Sequence, residues 1–415
     1  MDTNTELMSR FDIIIIGGGI VGATAACALG QAGVQVALVE AREPVPPGDQ
    51  PPDPRVFAIT RASERIFRSL GVWDAIYRQN AFAFTDMEVW DAGGDGLTHF
   101  DCADLGEPCL GHIIEPRFIQ AALWQQLTSI DAVSLYCPAR FQAINMLDDR
   151  VEVELDDGPQ LTAELVIAAD GARSPVRNFL GMETQRHDYR QSSLVALVKT
   201  AEPHQNTAWQ RFLPGGPLAF LPMGDGWSSI VWTMPSDHVE RLLTADKDVF
   251  HEELATAFGD RLGDIVDSGE REAWPLQRMH AEHYVDARVA LIGDAAHAIH
   301  PLAGQGVNLG LLDAAALAEV IVDAKQRGKD PGRLTVLRRY ERWRRGDNLL
   351  MMKAMDGINQ VFSNTRLPLN QVRNLGLSLV NRSATAKRLF MEHAMGLSGD
   401  LPALATVSEE VPPSD

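Results

Sequence analysis

Apolar positions along the chain switch between two periods. Asp12 to Ile16 and Val36 to Val39 read as strands buried on both faces, and residues 20–32 between them repeat apolar positions at helical spacing. This predicts a βαβ unit. Six prolines between Pro44 and Pro54 require an extended loop. Helices are predicted from Thr60 to Leu70, and from Pro116, a favoured first-turn residue, to Leu127. Val151 to Leu155 and Leu161 to Ala169 read as strands joined by the turn Asp156-Asp157-Gly158. Residues 185–280 change character. Segments such as SSLVALVKT, WQRFLP, LAFLPM and SSIVWTMP are β-rich and punctuated by Gly and Pro, which predicts a separate inserted sheet. A buried strand returns at Arg288 to Ile292, followed by a Gly-rich turn, a long helix over Gly306 to Lys325, and helices through most of 333–396.

The expected architecture is α/β. One discontinuous domain covers 10–184 and 281–330, and the β-rich domain covers 185–280. A helical region covers 331–400, with a disordered tail over 401–415. A length of 415 residues leaves ample core. The balance of 37 basic against 56 acidic side chains, net −19, repels phosphates and anionic headgroups, which argues against nucleic-acid binding. Cys27, Cys102, Cys109 and Cys137 show no CxxC spacing and read as reduced thiols. No signal peptide and no run of about 18 apolar residues is present, so a cytoplasmic protein with at most peripheral contact at an inner membrane is expected.

Three glycine-bearing stretches follow strands. Gly17-Gly18-Gly19-Ile20-Val21-Gly22 is a G-x-G-x-x-G between strand and helix. Its first glycine allows the tight turn, its second lets a pyrophosphate approach the backbone, and its third lets helix and strand pack closely. Glu40, 18 residues beyond Gly22 at the end of the second strand, suits the two hydroxyls of an unphosphorylated ribose, as in FAD or NAD. Asp170-Gly171-Ala172-Arg173-Ser174-Pro175-Val176-Arg177 ends a second strand. Gly293-Asp294-Ala295-Ala296-His297 ends a third, and leads into HPLAGQGVNLG over 300–310, the amino end of a long helix.

Together these stretches resemble the three signatures of flavin-dependent aromatic hydroxylases, the class A monooxygenases similar to p-hydroxybenzoate hydroxylase. The string HPLAGQGVNLG narrows the resemblance to the ubiquinone-biosynthesis hydroxylases. PRVFAITRASE at 54–64, MEVWD at 87–91, LGHIIE at 110–115, AFLPM at 219–223 and LRRYERWRR at 337–345 look most like the branch acting on ring carbon 5 of a polyprenylphenol. The resemblance covers about residues 10 to 400. It implies a Rossmann-like FAD-binding domain with the β-rich substrate domain inserted and helices at the C-terminal end.

The resemblance also implies roles. Gly17, Gly19, Gly22 and Glu40 would hold the FAD pyrophosphate and adenosine ribose, and Arg117 would reach the pyrophosphate or ribityl region. Asp294 would bind a ribityl hydroxyl, while Gly306, Val307 and Asn308 would face the isoalloxazine through backbone groups. Asp170 would serve both FAD and a transiently docked NAD(P)H, and Arg55 would favour the reduced flavin anion. Phe220, Leu221, Pro222, His300, Pro301 and Gln305 are candidates for the ring pocket. In the family mechanism NAD(P)H reduces FAD, oxygen adds to give a flavin C4a-hydroperoxide, and the electron-rich ring takes up its distal oxygen. Protein then supplies position, electrostatics and exclusion of water. No single catalytic base is assigned.

His297 and His300 form an H-x-x-H, but no third ligand of suitable spacing accompanies them, so no metal is expected. A second G-x-G-x-x-G, which a separate nicotinamide domain would need, is absent. Apolar residues between Leu367 and Met395 suggest a path for a lipid substrate. Expected partners are the polyprenylphenol, other ubiquinone-biosynthesis proteins and a second copy of the chain. Two alternatives remain: a hydroxylase of a soluble aromatic acid, which needs a charged anchor in the inserted sheet, and a non-catalytic flavoprotein scaffold. A halogenase would carry W-x-W-x-I-P, which this sequence lacks.

Overall fold

Ile13–Ile16 (β1) is a run of four isoleucines, 0 to 5% exposed, and such a strand suits only the middle of a sheet covered on both faces. The computed structural model places it there. Described are residues 9–406 apart from 49–50, 95, 157, 300–304, 364–380 and 382. Val36–Val39 (β2), Val133–Tyr136 (β3), Leu165–Ala168 (β4), Val285–Asp286 (β5) and Val289–Leu291 (β6) join β1 in the order β5-β6-β4-β1-β2-β3. All pairs are parallel except β5 with β6.

Helices pack on this sheet, and Val151, Val153 and Leu161 of a separate four-stranded sheet share its core. Ile20–Gln31 (α1) links β1 to β2; its small residues Gly22, Ala23, Ala25 and Ala26 are all buried, which lets other helices approach closely. Arg61–Ser69 (α2) starts at Thr60, whose side chain accepts a hydrogen bond from Ser63 N. Pro116–Leu127 (α3) opens on its proline, and both α3 and Gln305–Gln326 (α4) pack against α1. Leu334–Ser363 (α5) and Ala384–Ala394 (α6) follow.

The second large sheet has eight strands, in spatial order His297–Ala298, Ile265–Ala281, Thr184–Thr200, Trp227–Pro235, Gly216–Pro222, Thr207–Leu213, Asp86–Asp91 and Leu97–Asp101. This sheet also takes in strands from 86–101, joined through a parallel pairing with Thr207–Leu213. Residues alternate between the faces of each strand. On one face Phe220, Trp232, Phe250 and Phe258 form a core under the helices Ser236–Thr244 and Lys247–Phe258. The residues out of phase with these, such as Val89 and Phe212, join Met355 and Ile358 of α5 and Met391 of α6 in a separate apolar cluster.

Two expectations need correction. The stretch read as one strand over 161–169 is two: Leu161–Ala163 pairs antiparallel in a four-stranded sheet, while β4 enters the parallel one. The chain also stays ordered past Leu401. Ala405 is fully buried, Ala403 N donates to Glu319 Oε2 at 2.8 Å, and Ser69 Oγ donates to Leu404 O at 3.1 Å. A short sequence of small residues shows no periodicity, so this docking left no local signal. Residues 407–415 of the expected tail lie outside the described residues.

Candidate flavin site

The glycines of the first motif face different surroundings. Gly17 has φ +105°, and a Cβ there would lie 2.4 Å from Ala169 O. A Cβ on Gly22 would lie 1.9 Å from Gly17 O. Both positions are closed by the protein's own backbone. A Cβ on Gly19 meets nothing within 4 Å. That open face, at the N-terminus of α1 where unpaired N–H groups concentrate, fits a pyrophosphate. Glu40 lies beside it: Gly18 N donates to Oε2 at 2.6 Å and Arg42 N to Oε1 at 3.0 Å. Trp124 of α3 braces the same loop by donating its indole N–H to Gly18 O at 2.8 Å.

The three motifs meet. The side chain of Val21 in the first lies 3.2 Å from where a Cβ on Gly293 would stand and 2.7 Å from one on Gly310. Arg177 at the end of the second motif is fully buried, and its Nη1 donates to Ala295 O in the third at 2.7 Å while its Nη2 donates to Ala172 O at 2.9 Å. Asp170 accepts from Val176 N at 2.9 Å through Oδ2, whereas its buried Oδ1 has no partner. Burial raises the Asp170 carboxyl above its ordinary value, against hydrogen bonds from Ser174 and Val176 that lower it. An orphaned carboxylate oxygen beside an open glycine is a place for a ligand's hydroxyl.

Asp294 is exposed, yet enclosed by protein on its other sides, and this enclosure raises its carboxyl against the opposing pull of His297 and Arg55. Arg55 is therefore near Asp294. Its guanidinium sits over the Trp274 ring at 4.9 Å and the Phe57 ring at 5.6 Å, between the proline-rich loop and the eight-stranded sheet. Arg117 pairs with Glu115 at 2.8 Å, and the fully buried Glu115 also accepts from Asp53 N at 2.9 Å and from Asn80. Glu115 thus links the base of α3 to the loop carrying Arg55. Nothing in the periodicity of LGHIIE marks it as such an anchor.

At the start of α4, Asn308 is 2% exposed and its side chain is used on protein: Oδ1 accepts from Thr60 N at 3.0 Å and Ser63 Oγ at 2.7 Å, and Nδ2 donates to Ala58 O at 2.8 Å. Its side chain is thus engaged with α2 and the strand before it. A Cβ on Gly306 would meet just Ile299 at 3.9 Å, and Val307 is half-buried. Gln305 donates to Ala394 O of α6 at 3.2 Å, so this helix start touches the apolar cluster of Met391, Met395 and Phe212.

The expected ring-pocket trio divides. Phe220 is fully buried on the far face, its ring 4.0 Å from that of Phe258, and Pro222 shares its phase along the strand. Leu221 points the other way, toward the face packed by α5. His300 and Pro301 lie outside the described residues.

His297 is fully buried and its Nε2 lies 2.5 Å from Asp313 Oδ2. This carboxylate, unremarked in the sequence, also accepts from Gly293 N, Arg344 and Asn348. Among the described residues, Glu64, Cys109 and His112 bring donor atoms within 4.8 Å of one another. Arg61 and Arg68 already pair with Glu64. Burial alone would raise the Glu64 carboxyl, but His112 and Arg61 overcome this and hold it at about 2.

The FAD binding domain family matches residues 10–346. Two curated relatives are 40% identical: ubiquinone hydroxylase UbiL of Rhodospirillum rubrum, over 93% of this chain and 89% of its own, and 3-demethoxyubiquinol 3-hydroxylase of Escherichia coli K12, over 93% and 98%. The chain belongs to the FAD-dependent hydroxylases of ubiquinone biosynthesis. It is an aromatic-ring monooxygenase of the class A flavoprotein type with FAD as its cofactor. The human ubiquinone biosynthesis monooxygenase COQ6 is 34% identical over 92% of both chains. The crystal structure of p-nitrophenol 4-monooxygenase PnpA from Pseudomonas putida shares the fold with a TM-score of 0.77 at 22% identity, covering 94% of this chain and 99% of its own. Among the described residues of this monooxygenase, no helix is long and apolar enough to cross a membrane.

Proposed function

We propose that this monooxygenase hydroxylates the ring of a polyprenylphenol, with NAD(P)H as reductant and O2 as oxidant. The observation that carries the reading is the convergence of the three motifs, Val21 against Gly293 and Gly310 and Arg177 on Ala295 O, with an open face at Gly19 and an apolar cluster adjoining the start of α4. FAD supplies the redox and oxygen chemistry when bound. The protein's own groups do the rest. Gly19 and the first turn of α1 take the pyrophosphate, Glu40 the adenosine ribose, Asp294 the ribityl chain, and Gly306 to Asn308 the ring system. Arg117 supports the pyrophosphate side, Asp170 serves both FAD and the docked nicotinamide, and Arg55 adds positive potential near Asp294. Leu221, Phe212 and Met391 give the substrate chamber an apolar wall, which keeps water from diverting reduced flavin to hydrogen peroxide.

A prenyl tail favours such a wall, since each buried methylene contributes about 0.8 kcal/mol. Leu389 and Phe390 on α6 are 67% and 49% exposed and offer a peripheral contact with the membrane that stores the substrate. Residues 367–380 of the suggested lipid path lie outside the described residues. The ring position is proposed as carbon 5, and the two equally similar bacterial relatives bear different names, so identity alone does not choose it. Assembly with other biosynthetic proteins and self-association complete the proposal.

Lipid analysis of a deletion strain tests it. The expected result is loss of the quinone with accumulation of a polyprenylphenol lacking one ring hydroxyl, relieved by the wild-type gene but not by an Asp294→Ala copy. Unchanged quinone in the deletion strain, together with purified enzyme that converts no polyprenylphenol, would refute it.

A further inference from the structure

A carboxylate buried inside a helix is costly unless every oxygen is paired, because desolvation of a charge amounts to several kcal/mol. Asp313 lies in the interior of α4 among Leu312, Ala314 and Ala315, and is fully buried. Four donors from three elements satisfy it. Gly293 N and His297 Nε2 reach Oδ2 at 3.2 and 2.5 Å. Arg344 Nε and Asn348 Nδ2 reach Oδ1, each at 3.0 Å. Burial alone would raise this carboxyl, but His297, Arg344 and Asn348 outweigh it and hold it below its ordinary value.

The arrangement is directional. Gly293 and His297 are the two ends of the turn that carries Asp294, so one carboxylate oxygen staples the turn across its base. The other oxygen is held by α5, where Arg344 and Asn348 stand one turn apart and Arg344 Nη2 donates to Asn348 Oδ1 at 3.0 Å. Farther along α5, Asp356 accepts from Tyr189 and Arg278 of the eight-stranded sheet. The helix therefore grips the flavin turn near its start and the substrate sheet farther on.

We propose that Asp313 is a positioning residue for the flavin, fixing the turn that aims Asp294 and making its geometry depend on α5. The inference rests on the assignment of Asp294 to the flavin. Full-length apoprotein is titrated with FAD, following quenching of flavin fluorescence, for His297→Phe, His297→Gln, Asn348→Leu and Asp294→Ala; urea denaturation of each apoprotein is measured alongside. A hydrogen bond to a charged group is worth about tenfold or more in affinity. His297→Phe and Asn348→Leu are expected to raise the FAD dissociation constant about tenfold, beyond any rank order set by their apoprotein stabilities. His297→Gln, which keeps a donor, is expected to stay within about threefold of wild type. Wild-type affinity in Asn348→Leu and in a folded His297→Phe overturns the proposal, as does affinity that simply follows stability in every variant. If His297→Phe does not fold, Asn348→Leu decides alone. Unchanged affinity in Asp294→Ala instead refutes the flavin assignment itself, which separates the two failures.

Discussion

Alanine at each of the three fingerprint glycines separates protein packing from cofactor approach. At Gly22 the new methyl would stand 1.9 Å from Gly17 O, and at Gly17 it would stand 2.4 Å from Ala169 O on a backbone with φ +105°. Both clashes are with backbone, which must shift, so each substitution costs the apoprotein roughly 3 kcal/mol. Gly19 differs. Its φ of −65° and ψ of −178° suit alanine, and no atom lies within 4 Å. Alanine is a poorer N-cap than glycine by up to about 1 kcal/mol, but it restricts the unfolded chain by a similar amount, so the apoprotein should change by about 0.5 kcal/mol or less. The methyl would instead occupy the approach of the pyrophosphate. A displacement costing about 2 kcal/mol weakens FAD binding roughly thirtyfold. Urea denaturation of the apoproteins and FAD titration measure the two effects independently. Equal destabilisation by Gly19→Ala and Gly22→Ala, or wild-type FAD affinity in Gly19→Ala, would refute the reasoning.

Three further outcomes follow from the same contacts. Phe220→Ala should cost about 3 to 5 kcal/mol by opening a cavity against Phe258, whereas Leu221→Ala should cost about 1 kcal/mol and increase hydrogen peroxide formed per NAD(P)H; reversed effects would put the chamber on the wrong face. Arg177→Met strands Ala295 O and Ala172 O and should cost about 3 kcal/mol in urea denaturation, so a loss below about 1 kcal/mol would contradict its role as a staple between motifs. Burial, helped by the charge of His297, holds His280 at about 4 against an ordinary 6.5. Since the unfolded chain takes up this proton first, stability falls as pH drops below 6.5 and the loss approaches about 3 kcal/mol near pH 4. His280→Phe should show a shallower loss over that window, and an identical slope would refute the assignment.

The parallel core was legible because its strands carry continuous apolar runs and α1 and α3 carry unambiguous starts. The α/β fold and flavin family followed from motifs whose backbone geometry leaves few residue choices. Other features were not legible for physical reasons. Asp86–Asp91 and Leu97–Asp101 look like ordinary strands, and only long-range pairing places them in the second sheet. Phe220 and Leu221 are both apolar, so their division between two faces depends on which phase of the strand meets the helices. Asp313 reads as one more polar residue in a small-residue helix. Its importance comes from Gly293, His297, Arg344 and Asn348, which are up to 35 positions away. The signal available was a single acid in an otherwise apolar stretch of α4, which demands a buried partner.

The most direct test is a crystal structure of the FAD-loaded enzyme. The pyrophosphate should lie against Gly19 N-terminal to α1, the adenosine ribose against Glu40, the ribityl chain against Asp294, and the isoalloxazine beside Gly306 to Asn308 with one edge open to the Leu221 face. A flavin that contacts only one of the three motifs, or turns its ring edge toward bulk solvent, would contradict the account.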